Sequence, residues 1–214
     1  MADTDNHAVF AAVADQRRRF ADLIDGLDER QLATPSLCHG WDVKTVAAHV
    51  VSTVLDGMPG FFRMAVRRRS LSRGIDDLAK RRAQAPIAEI IAALYEHADR
   101  PVSSPLFGPR GPLADILVHS GDVRIALGMP FEPDPRHAVP AMDFLTGPWP
   151  IGFVPPRRLR GIRLSANDVA RSWGAGSEAT GPLAALLMSA CGRAASLDAL
   201  EGPGAAVLRR RLNS

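Results

Sequence analysis

Cysteine is nearly absent from this chain. The two present, Cys38 and Cys191, stand far apart and form no CxxC pair, so neither a disulfide framework nor a paired-thiol motif is offered. Lysine is just as scarce: only Lys44 and Lys80 occur, and arginine supplies the rest of the 26 basic residues, as in proteins from GC-rich genomes. Aromatic residues make up 6% while Ala and Leu abound, which favours helices over a β-sandwich. No apolar run approaches the roughly 20 residues of a membrane helix. The opening "MADTDNHAVF" has no basic segment followed by an apolar one, so no signal peptide is expected. A formal charge of +3 is too small to indicate nucleic-acid binding. These shortages together lead to the expectation of a soluble, cytoplasmic protein with no nucleic acid and no membrane among its partners.

What the chain does have is helical periodicity and enough apolar residues, 46%, for a proper core. The spacing predicts helices over about 7–27, 42–67, 86–99 and 112–127. Asp42 is an N-cap, Pro86 and Pro112 occupy first-turn positions, and Gly128 followed by Pro130 closes the fourth helix. Gly57 and Pro59 kink or break the second, and "RRRSLSRGIDDLAKRRAQAP" reads as a partly helical connection. Four such helices suggest a four-helix bundle over residues 1–130. Beyond it, 131–214 reads as a small α+β domain. It has a helix at about 136–146, a β-hairpin turning at Ala166 to Asp168, a buried helix from Pro182 and two short terminal helices.

Within the fourth helix, "PLADILVHSGDVRIALG" places Asp115 and His119 one turn apart, with Asp122 on the same face. A carboxylate and an imidazole at that spacing can grip one divalent cation. On the second helix His49 stands among Ala47, Ala48, Val50 and Val51, an odd place for an ionisable ring unless it faces partners across the bundle. Three protein ligands with one open position suit a catalytic metal. Nitrogen and oxygen donors favour zinc, with nickel, cobalt or iron as alternatives. Taken singly, each residue also has an ordinary reading: His49 as a core histidine, Asp115 as a solvated helix residue, and Asp122 as the partner of Arg124.

Three stretches carry a family resemblance. "TPSLCHGWDVKTVAAHVV", "ILVHSGDVRIALG" and "ATGPLAALLMSACGRAASLDALEGPGAAVL" resemble, in order, the motifs of the mycothiol-dependent maleylpyruvate isomerase family. The resemblance implies a DinB-like four-helix bundle holding a metal through His, Glu and His, followed by a small α+β domain similar to sterol-carrier folds. Carried onto this chain, the metal ligands are His49, Asp115 and His119; Asp122, on the same helix face, is a candidate for orienting one of them. Aspartate stands at 115 where the family has glutamate, which keeps the charge but shortens the reach. His39 replaces a residue that is often proline and is read as a solvent-facing loop residue. The implied cosubstrate is mycothiol, a low-molecular-weight thiol of actinobacteria. The implied activity is isomerisation or thiol S-transfer on a small-molecule substrate. A homodimer is left open.

Other signals compete. Arg193 in "CGRAAS" is a candidate catalytic residue, because an arginine fork matches a substrate carboxylate. An arginine near a helix C-terminus is also favoured by the dipole. "WGAGSEATG" lacks the features of a phosphate loop and reads as a hairpin exit. The arginines at 67, 68, 69, 73, 81 and 82 read as a solvated basic face, with no interleaved aromatics to suggest single-strand binding. The rival to an enzyme is a non-catalytic small-ligand-binding or regulatory protein that keeps the bundle. The shorter Asp115 leans toward it.

Overall fold

Asp42 sits in extended backbone, and its carboxylate accepts the Thr45 amide at 2.7 Å, which starts the helix carrying His49. The structure, a computed structural model, describes residues 2–56, 70–102 and 108–213. They fall into two compact units, 1–130 and 131–214.

The first unit contains α1 (Ala2–Asp25), α2 (Glu29–Leu32), α3 (Val43–Leu55), α4 (Leu71–Arg82), α5 (Ile87–Glu96) and α6 (Arg110–Ala126). Helix α1 packs on α5 and α6, and α3 packs on the same two, so the four close into a bundle. Phe20, Ile24, Val46, Ala47, Val50, Ile90, Leu94, Ile116 and Val123 fill it. Burial of these side chains supplies most of the drive to fold, at about 1.5–3 kcal/mol for each large one. Helix α1 begins earlier, at Ala2, than its apolar spacing predicts. The part of the second predicted helix beyond Asp56, with Gly57 and Pro59, lies outside the described residues.

The stretch after 70, expected as a partly helical connection, is a full helix. Ser70 caps α4 by accepting the Arg73 amide, and Ala79 packs into the core cluster. Arg82 is no part of a solvated basic face. Its Nε donates to Ser52 Oγ and its Nη2 to Asp56, both at 2.9 Å, which clamps α4 to α3. Arg67, Arg68 and Arg69 lie outside the described residues.

The second unit contains α7 (Pro135–Leu145), β1 (Ile162–Ala166), β2 (Ser172–Gly174), β3 (Ser177–Gly181), α8 (Leu183–Ala190), a 3-10 turn at Ala194–Ala199 and α9 (Pro203–Leu212). The strand order is β2-β1-β3, with β2 antiparallel and β3 parallel to β1. The fold is thus mainly helical with a small α+β C-terminal unit, as expected. The hairpin turn, however, spans 167–171, later than the expected Ala166–Asp168. "WGAGSEATG" is also more than an exit loop: it ends β2, crosses the end of β1 and forms β3. The crossing is tight. Gly176 has φ +124, and a Cβ there would lie 2.2 Å from the Gly161 carbonyl oxygen, so only glycine passes. The Asp168 carboxylate caps α8 by accepting the Leu183 amide at 2.9 Å.

Candidate metal centre

The loop entering α3 builds one wall of the site. Ser36 Oγ donates to the Trp41 carbonyl at 2.9 Å, and the Trp41 amide donates to Cys38 O at 3.0 Å. Gly40 makes this fold-back at φ +78. The loop is tied to α6, because the Leu37 amide donates to the Asp122 carbonyl at 3.2 Å. Trp41 Nε1 donates to Asp76 Oδ1 at 2.8 Å, fixing the indole from α4. His39 is exposed on the outside of the same turn.

Trp41 lies against both histidines, with ring centroids 4.9 Å from His49 and 6.2 Å from His119. The two imidazoles meet edge to face at 4.7 Å. Asp115 reaches both: its Oδ1 lies 3.7 Å from His49 Nε2 and 3.5 Å from His119 Nε2. One donor atom from each of the three falls within 4.8 Å of the others. Separations of 3.5 and 3.7 Å are long for hydrogen bonds. They come close to the edge of a coordination tetrahedron, about 3.3–3.5 Å for bonds of about 2.0–2.2 Å. The two-imidazole, one-carboxylate donor set therefore fits a divalent cation, and the shorter aspartate spans the gap. That removes the reason Asp115 gave for a non-catalytic reading.

Beneath His119 lies Asp122, fully buried, its Oδ2 3.0 Å from His119 Nδ1. This carboxylate holds a proton on Nδ1 and leaves Nε2 aimed at Asp115, the arrangement that orients metal-binding histidines. Asp115 is the trio's outlet to solvent, with 18% of its side chain exposed against 6% for His49 and 9% for His119.

Charge follows the geometry. Burial works against a proton on His119, but Asp115 beside it and the bond to Asp122 outweigh burial and push it up to about 9. Burial lowers His49, Asp115 pulls the other way, and the like charge of His119 adds to the fall. Burial alone would raise the Asp115 carboxyl, yet the two facing imidazoles hold it well below the usual carboxylate range. One proton, on His119, thus occupies the place a cation would take.

Sequence reasoning overlooked two members of this environment. Arg17 reads as one of three consecutive arginines on a solvated helix, but it is buried, and its Nη1 donates to the carbonyls of Ala98 at 3.2 Å and Arg100 at 2.8 Å. Burial brings its guanidinium down to about 10, while the Asp115 charge pulls it up. Trp41 was legible as part of a motif, but its contact with both histidines was not. Arg193 belongs to the second unit, where it follows α8 and its Nη1 donates to the Cys191 carbonyl at 2.8 Å.

Residues 13–102 match the family described as the mycothiol maleylpyruvate isomerase N-terminal domain. No curated protein matches the chain. Two solved structures share its fold. One is a crystal structure of the mycothiol-dependent maleylpyruvate isomerase, with TM-score 0.51. The other is of a histidine-to-alanine mutant of that enzyme, with TM-score 0.55. Each is 14% identical and covers 92% of this chain and 92% of its own. The resemblance read from the sequence is borne out.

Proposed function

We propose that this chain, of the mycothiol-dependent maleylpyruvate isomerase family, is a metal-dependent enzyme of the cytoplasm. It uses mycothiol on a small-molecule substrate, as an isomerase or thiol S-transferase. The observation that carries this reading is the convergence of one donor atom each from His49, Asp115 and His119 within 4.8 Å, drawn from two facing helices. These three hold the cation, and the donor set favours zinc. A bound divalent cation supplies the charge that keeps a thiol as its reactive thiolate at neutral pH.

The chain's own residues prepare the place. Asp122 fixes the tautomer of His119, so that Nε2 faces the cation. Trp41 covers both rings and keeps water from that side. The partial exposure of Asp115 marks the side from which thiol and substrate approach. Arg17 balances part of the buried negative charge.

Cobalt-loaded protein tests the reading. A low-molecular-weight thiol added to it should produce a sulfur-to-cobalt charge-transfer band that saturates at about one thiol per cobalt. A cobalt spectrum unmoved by thiol would overturn the thiol chemistry even where the metal binds.

A further inference from the structure

Helix α1 packs its buried face on α5 and α6. That face reads Val9, Val13, Arg17, Phe20 and Ile24, spaced by three or four residues, and all five are buried. An arginine thus holds a core position among apolar side chains, where arginine is rare. Its height in the bundle follows from where the two helices start. A Cβ on Gly108, just before α6, would lie 3.6 Å from Asn6 Oδ1 on α1. From that contact α1 and α6 run in the same direction, and eleven residues along each stand Arg17 and His119. Arg17 therefore lies level with the trio of His49, Asp115 and His119, and the charge of Asp115 acts on it.

One role of Arg17 is to serve the end of α5, through the bonds from its Nη1 to the Ala98 and Arg100 carbonyls. Two carbonyls need donors, which a neutral amide also supplies. They do not need a full charge taken out of water, which is costly. Among the described residues no carboxylate forms an ion pair with this guanidinium. Burial lowers it only to about 10, so it stays charged at neutral pH. The balance of charge at the centre gives a reason. The carboxylates acting on His49 and His119 are Asp115 and Asp122. A divalent cation held by two neutral imidazoles and Asp115, above Asp122, is already neutral as a group. Arg17 leaves it one positive charge in excess, and one monoanion at the open position cancels that charge.

Resting on the metal reading above, we propose that Arg17 sets the charge of the ligand the centre accepts: with it, the open position prefers a monoanion, such as a thiolate, to a neutral donor. Arg17 is a positioning residue here. It acts through its field at the centre and not by touching the reacting atoms.

The test uses the cobalt-loaded full chain. It is titrated at about pH 8 with azide, a monoanion, and with imidazole, which is neutral there, and the visible spectrum reads binding. Arg17→Gln should weaken azide by about tenfold or more and imidazole by less than about twofold, while Arg17→Lys recovers most of the azide affinity. Azide binding indifferent to Arg17→Gln would overturn the proposal. So would azide and imidazole weakened alike, which marks a merely structural role. Where Arg17→Gln does not fold, the unsubstituted zinc-loaded protein decides by nuclear magnetic resonance. The Arg17 Nε signal should move saturably with azide, and a signal that stays in place overturns the proposal. A chain that takes up no cobalt defeats the metal reading and this proposal with it. Cobalt retained with azide indifferent to Arg17 defeats this proposal alone.

Discussion

Asp122 Oδ2 lies 3.0 Å from His119 Nδ1, buried at the base of the bundle core, and it decides which nitrogen of His119 faces Asp115. Without that bond the ring could adopt the other tautomer or turn. Asp122→Ala should therefore lower metal affinity by about 10–100-fold, the usual cost of losing an orienting partner. Competition with a coloured chelator measures it. An unchanged affinity would show that His119 is held by packing alone.

Metal uptake should release protons. Metal-free His119 is pushed up to about 9 and His49 is lowered, so at pH 7 one proton, on His119, must leave for a cation to bind. Apparent affinity should rise by about tenfold per pH unit toward pH 9 and then level off. Calorimetry in buffers of different ionisation enthalpy should count about one proton released per metal. A count of zero would contradict the charge assignment.

The metal-free fold should carry the same signature. The raised pKa of His119 contributes stability below its unfolded value of 6.5 that is lost as pH rises through about 9. The lowered Asp115 contributes stability above its unfolded value of 3.8 that is lost as pH falls through its depressed pKa. His49, lowered, costs stability as pH falls below 6.5. Metal-free protein should melt highest between these limits, and His119→Ala should remove the alkaline loss. A melting temperature that ignores this substitution above pH 8 would contradict the pairing.

Gly176→Ala should destabilise the second unit by about 2–3 kcal/mol or more, because the new methyl meets the Gly161 backbone and a non-glycine residue is forced to positive φ. Denaturant unfolding followed at Trp173 fluorescence reads the loss. Metal content, held by the other unit, should not change.

Much of the frame was legible because it rests on local chemistry. Asp42, Pro86 and Gly128 mark helix ends by properties of their own, and Asp115 with His119 share a face by spacing alone. His49 announced itself as the polar member of an apolar face. What stayed hidden depends on contacts distant in sequence. Arg17 looks like its exposed neighbours until α5 brings the Ala98 and Arg100 carbonyls to it. Helix α4 carries few apolar residues, and its place is set by Arg82 reaching Ser52 and Asp56. Strand β3 is short and polar, and only its pairing with β1 defines it.

The central claim is that His49, Asp115 and His119 are one metal site. Its most direct test is the metal content of purified protein and three variants by elemental analysis after dialysis against zinc. The account predicts about one zinc per chain in the parent and essentially none in His49→Ala or His119→Ala with the fold retained. It predicts undiminished zinc in Asp115→Glu, which keeps the carboxylate and lengthens its reach. Stoichiometric zinc that survives both histidine substitutions, or a parent protein that takes up none, would contradict it.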